Sequence, residues 1–143
     1  MNSPLIGCWK LVSYELRSST GRVVRPFGDA PVGRLMYDAH GRMIGQCLDP
    51  RREKFARSNP TRGTALEIRA AFNGCVGYFG TYTLDKQART VTHHVKGSLF
   101  PNWIGSDQAR HYEIRGRRLV LRTPPIKTSK REVVGVLVWE REE

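Results

Sequence analysis

Residues 78–95, "YFGTYTLDKQARTVTHHV", hold two runs rich in β-branched and aromatic side chains on either side of the four residues 85–88. Such side chains suit a pleated, half-buried backbone, and a four-residue join is of hairpin length. The pattern continues in both directions. Candidate strands cover residues 8–16, 22–25, 33–38, 42–48, 76–84, 90–97, 108–115, 117–123 and 132–140, with further tight joins at "DAHG" (38–41) and "RGR" (115–117). Consecutive hairpins make a meander. That many strands in one small unit predict an all-β fold, a closed antiparallel up-and-down barrel of about 8 to 10 strands, because closure removes exposed edges.

One segment departs from the strand pattern. In "TALEIRAAFNG" (64–74), Thr64 and Glu67 have capping-box spacing, Ala65, Ile68 and Phe72 share a helical face, and Gly74 provides a stop. This predicts one short helix. The polar stretch 49–63 before it, with Pro50 and Pro60, is long for a compact domain. Together the two segments read either as a cover over one barrel end or as a plug inside it.

At 143 residues the chain fits a single domain, residues 1–143, with a core large enough to need no disulfide staples. No apolar run approaches the roughly 18 residues of a membrane span, and "MNSPLIGCWK" turns polar before a signal-peptide core could develop. The expectation is a soluble, unprocessed protein without a membrane partner. Cys8, Cys47 and Cys75 are an odd number without C-x-x-C spacing, which suits buried reduced thiols and a cytoplasmic location. The net charge of +11 raises nucleic acid as a partner. The basic residues cluster instead in three loop-like places, without interleaved aromatics or any helix-turn-helix, zinc-finger or RNA-binding signature, so nucleic acid is not expected.

The N-terminal "LIGCWKLVSYE" (5–15) resembles the opening of the lipocalin and fatty-acid-binding superfamily, whose first strand carries Gly-x-Trp, here Gly7 and Trp9. An aromatic at that point can close the narrow barrel end while Gly lets the backbone pass beside it. The resemblance implies an arginine near the last strand packed on that Trp, and "VWEREE" offers Arg141. The segments "GRVVRPFGDAPVGRLMYDAHGRMIGQ", "AAFNGCVGYFGTYTLD", "TVTHHVKGSLFPNWIGSDQARHYEI" and "LVLRTPP" followed by "LVWER" extend the likeness over nearly the whole chain. They resemble the stand-alone lipocalin-like domain family of bacteria and fungi. The resemblance implies a small barrel with an internal pocket and little about chemistry.

In a closed barrel, alternate residues point inward. Val91, His93 and Val95 form the more apolar set of their strand, which puts His93 inside and His94 outside unless a one-residue slip exchanges them. Adjacent strand histidines therefore diverge and cannot share one ion. With His40 and His111 elsewhere and no H-x-H or H-x₃-H spacing, no metal site is expected. On the following strand Gln108, Arg110, Tyr112 and Ile114 share parity. An inward Arg110 needs a partner, and three readings stand open: ion pairing with Glu15, which shares nominal parity with Trp9 and Leu11; anchoring of an acidic ligand together with Tyr112; or exposure through a different register. Tyr37, Tyr82 and Trp103 are candidate aromatic walls, equally readable as plain core, and Gln46 is a candidate amide.

No G-x-S-x-G, phosphate-cradling loop, H-E-x-x-H or Rossmann fingerprint is present, so no cofactor is expected. The sequence reads as a binder of a small hydrophobic or aromatic molecule, with an acidic group as an option, and it leaves a homodimer open. The alternative is a cofactor-free isomerase or cyclase with His93 as the candidate catalytic residue. A thiol mechanism pairing Cys47 with His93, and haem on a single histidine, are remoter options.

Overall fold

The computed structural model describes residues 3–142. Ten strands form one antiparallel sheet: β1 (Gly7–Ser18), β2 (Val23–Val24), β3 (Val32–Tyr37), β4 (Arg42–Leu48), β5 (Cys75–Asp85), β6 (Thr90–Ser98), β7 (Asp107–Arg115), β8 (Arg118–Arg122), β9 (Ile126–Lys127) and β10 (Glu132–Glu142). Eight of them run in the order β1, β3, β4, β5, β6, β7, β8, β10, and β10 pairs back onto β1, closing the barrel. The two-residue strands β2 and β9 extend β1 and β10 at the sheet margins. Nine of the ten correspond to sequence-predicted runs within two residues at each end. β9 lies beyond Pro124 and Pro125, where two-residue pairing leaves no periodic signal, and β2 keeps only the middle of the predicted 22–25 run.

The helix α1 (Ala65–Asn73) starts and stops where its caps predict. The Thr64 hydroxyl oxygen accepts from the Glu67 amide, the Glu67 carboxylate accepts from the Thr64 amide, and Gly74 ends the turn. None of its residues is buried and none lines the internal cavity, so the helix lies outside the barrel and does not plug it.

One barrel end is packed shut. Trp9, Leu5 and Leu119 are fully buried there, with Tyr37, Tyr82 and Tyr112 nearly so. The Trp9 indole N–H donates to the Leu5 carbonyl at 2.9 Å. Arg141 lies over the Trp9 ring, 4.2 Å from its centroid, and donates to the carbonyls of Ile6 and Pro4. Gly7, at φ +135°, allows this contact, because a Cβ there would sit 2.7 Å from the Arg141 guanidinium. The Gly-x-Trp and Arg141 expectation thus has a physical basis: the glycine clears the space that the stacked arginine occupies.

Two bulges set the facing of side chains. Between Leu11 and Ser13 on β1 the register slips, so inward positions run Trp9, Leu11 and then Tyr14 and Leu16. A second irregularity between Phe79 and Gly80 absorbs one extra residue of β6. Gly80 is required there, since a Cβ would collide with the His94 carbonyl.

Candidate functional site

Between the packed end and the mouth lies a cavity of about 550 Å³. Its walls include Tyr14 from β1, Tyr78 from β5, His93 from β6, Arg110 from β7, Leu121 from β8 and Trp139 from β10. Trp103 and the Pro124–Pro125 segment stand toward the mouth. Trp103 meets Tyr78 edge to face at 6.1 Å and Phe100 at 5.3 Å, which gives the entrance an aromatic rim.

His93 is 2 % exposed and points inward. Its Nε2 lies 2.6 Å from the Tyr37 hydroxyl and its Nδ1 lies 2.7 Å from the Tyr78 hydroxyl. Both ring nitrogens are therefore engaged by phenols from different strands. Burial, aided by the nearby Arg110 guanidinium and by His94, pushes the imidazole down to about 3 from an ordinary 6.5, so it is neutral at physiological pH. Burial also raises the hydroxyls of Tyr14, Tyr37 and Tyr78, while Arg110 acts in the opposite direction on all three.

His94 faces outward, bonded to Thr83 at 3.0 Å and to Asp107 at 2.8 Å. Among the described residues no three His, Cys, Asp or Glu side chains converge as a metal site would require. Cys47 lines the cavity, but burial pushes its thiol up to about 12, which leaves it un-ionised and unsuited to nucleophilic work near neutral pH.

The β1 bulge overturns the Glu15 reading of Arg110. Glu15 is turned to the outer surface, where it pairs with Arg17 at 2.8 Å and Arg25 at 3.1 Å. Arg110 faces the cavity, and among the described residues its side-chain hydrogen bonds stay on its own strand: Nη1 donates to the Ala109 carbonyl at 2.8 Å, and Nη2 approaches Gln108 Oε1 at 3.5 Å. No carboxylate pairs with it among the described residues.

Of the residues singled out from sequence, His93, Trp103 and Arg110 line the cavity together. Gln46 touches only its edge; it is exposed on the outward parity of β4, and its amide is 3.8 Å from Cys75 Sγ. Tyr37, Tyr82 and Tyr112 point inward but lie in the packed end. Tyr37 sits behind His93, and Tyr82 packs on it edge to face at 4.7 Å while donating to the Asp38 carbonyl. Sequence reasoning missed Tyr14, Tyr78 and Trp139. Tyr78 shares parity with Tyr82 and was open to the same argument. Tyr14 was hidden by the bulge, and Trp139 required knowing that β10 closes on β1.

The neutral His93 has a consequence for stability. A folded-state value near 3 against 6.5 in the unfolded chain means that the unfolded state takes up the extra proton as the medium is acidified. The contribution is fully present above about pH 6.5 and is lost progressively as pH falls toward 3. Urea midpoints measured across that window should fall for the wild type and fall less for His93→Leu; parallel curves would rule out His93 as the source.

A closed antiparallel barrel with an aromatic-walled internal cavity is the architecture of lipocalin-type proteins. The lipocalin-like domain family matches residues 6–142, and the chain belongs to that family. It is also 31% identical over 106 residues to the 4'-hydroxy-3'-methoxypropiophenone carrier protein of Aspergillus oryzae, an alignment that spans 69% of this chain and 96% of that protein. No solved structure matches the chain.

Proposed function

We propose that the protein binds and carries a small aromatic molecule in the barrel cavity, with the polar end of the ligand at Arg110. The observation that carries this reading is the cavity itself: about 550 Å³, walled by Tyr14, Tyr78, Trp103 and Trp139, with polar groups confined to a few positions. That is how sites for small molecules are built. The fungal relative named as a carrier of an aromatic ketone supports the same ligand class for this chain.

A cofactor-free isomerase or cyclase is the second reading, favoured by an imidazole on the cavity wall. Two features weigh against it. Both nitrogens of His93 are already bonded to tyrosines, and its charged form is strongly disfavoured, so it is a poor acceptor of a substrate proton.

The test is titration with 4'-hydroxy-3'-methoxypropiophenone, followed by tryptophan fluorescence and by chromatography of the recovered ligand. Quenching from Trp103 and Trp139 with the compound returned unchanged is the expected result. Catalytic conversion of the compound, lost in a His93→Ala variant that still binds it, would establish the isomerase reading instead.

A further inference from the structure

The direction of the hydrogen bonds around His93 follows from what each hydroxyl can reach. A neutral imidazole donates from one nitrogen and accepts at the other. Tyr37 is 2 % exposed and its hydroxyl has His93 Nε2 as its hydrogen-bond partner. If Nε2 carried the proton, the Tyr37 hydrogen would be buried with no acceptor, which costs about 1 to 3 kcal/mol. Tyr37 therefore donates to Nε2, the imidazole proton sits on Nδ1, and Nδ1 donates to the Tyr78 oxygen. Tyr78 lines the cavity, so its own hydrogen is left to point into the cavity. The chain Tyr37, His93, Tyr78 thus delivers a fixed donor to the interior.

Arg110 lines the same cavity without a carboxylate partner. The titratable groups around it are Tyr14 of β1, Tyr37 of β3, Cys47 of β4, Tyr78 of β5 and His93 of β6, and all are neutral at physiological pH. Asp107 lies at the cavity margin, but it is mostly exposed and bonded to His94. A guanidinium in such surroundings carries a positive charge with no counter-ion. Nη1 is held on Ala109 and Nη2 leans on Gln108, which occupies part of the fork that would grip two carboxylate oxygens. Two strands from Arg110, on β10, Trp139 lines the cavity with its buried indole N–H lacking an acceptor among the described residues.

From these features we infer that the cavity selects its aromatic ligand in ionised form, as a phenolate whose single charged oxygen is held by Arg110 and the Tyr78 hydroxyl. The inference rests on the carrier reading and adds the charge state of the cargo. His93 is a positioning residue in it: the imidazole touches no ligand and orients the Tyr78 donor.

The test uses 4-hydroxyacetophenone, whose phenolate absorbs at longer wavelength than the phenol, and 4-methoxyacetophenone, which cannot ionise. Absorbance titrations with the wild-type protein should show the phenolate band at pH values where the free compound is still a phenol. The apparent ionisation of the bound compound should lie about 1 to 3 pH units lower, since a cation close to an oxyanion favours it by that much. Each unit corresponds to a tenfold preference for the anion. Arg110→Gln should abolish the shift, Arg110→Lys should keep most of it, and Tyr78→Phe should reduce it, each shift being read on the bound compound and compared with the same variant's own affinity for the methyl ether.

If both compounds bind but the phenol band is unchanged, or if the shift survives in Arg110→Gln, this inference is overturned and the carrier reading stands. If neither compound binds the wild type, both fall. A third probe, 4-methoxybenzoate, should bind more weakly than the hydroxyketone; tighter binding would overturn the single-oxygen assignment in favour of a carboxylate.

Discussion

Trp9→Ala is expected to lower the free energy of unfolding by about 3 to 5 kcal/mol, the range for removing a large aromatic from a packed core. Trp9 is fully buried at the closed end, where Leu5 and Leu119 also have no exposed surface. Removing the indole also uncovers Arg141, whose guanidinium lies on the ring and is tied to Ile6 and Pro4. The N-terminal segment thereby loses its bond from Trp9 Nε1 to the Leu5 carbonyl as well. Urea denaturation, with midpoint and slope measured for both proteins, checks the value. A loss below about 1 kcal/mol would mean that the barrel end collapses onto the vacated space, and Trp9 would not be what closes it. Trp9→Phe separates the terms, because it keeps an aromatic face for Arg141 and loses the indole N–H.

His93→Leu should cost about 1 to 3 kcal/mol although the new side chain is apolar and of comparable size. The reason is the stranded Tyr37 hydroxyl, which has His93 as its partner in a fully enclosed position. A buried polar group left without a partner costs its desolvation, whereas removing both members of a pair can be nearly neutral. The double variant His93→Leu, Tyr37→Phe should therefore recover much of the loss, and a double-mutant cycle measures the coupling directly. Strictly additive losses would show that the two groups do not depend on each other. Tyr78 behaves differently in this comparison, since its hydroxyl can turn to solvent in the cavity.

The hairpins of this fold were legible because alternation and turn residues are local properties. The join read at 85–88, which the structure places one residue later at 86–89, and the Thr64–Glu67 cap need only neighbouring residues. Alternation favoured an inward His93 with a one-residue slip left open and made an inward Arg110 one of the readings; β6 and β7 keep strict alternation where these residues lie, and both side chains face the cavity. The reading failed on β1, where one extra residue at the bulge reverses the parity of everything after it. Glu15 thereby passes from a nominal inward partner of Arg110 to a surface ion pair with Arg17 and Arg25. It also failed along the barrel axis, because alternation says whether a side chain points inward but not how deep it sits. Tyr82 and Tyr112 face inward and belong to the packed end, while Tyr78, four residues before Tyr82, belongs to the cavity.

By itself the sequence determined an antiparallel barrel closed around Trp9 and one capped helix, and it favoured an inward His93 while leaving Arg110 among three readings; these follow from side-chain period, capping chemistry and the bulk of an aromatic, all short-range quantities. Tertiary structure alone decided which groups meet. It brought Tyr37 of β3 and Tyr78 of β5 to opposite nitrogens of His93 on β6, and it left Arg110 without a carboxylate. Those outcomes depend on strand register and on the height of each residue along the barrel, which are fixed only when β10 closes onto β1 and every strand is shifted against its neighbours.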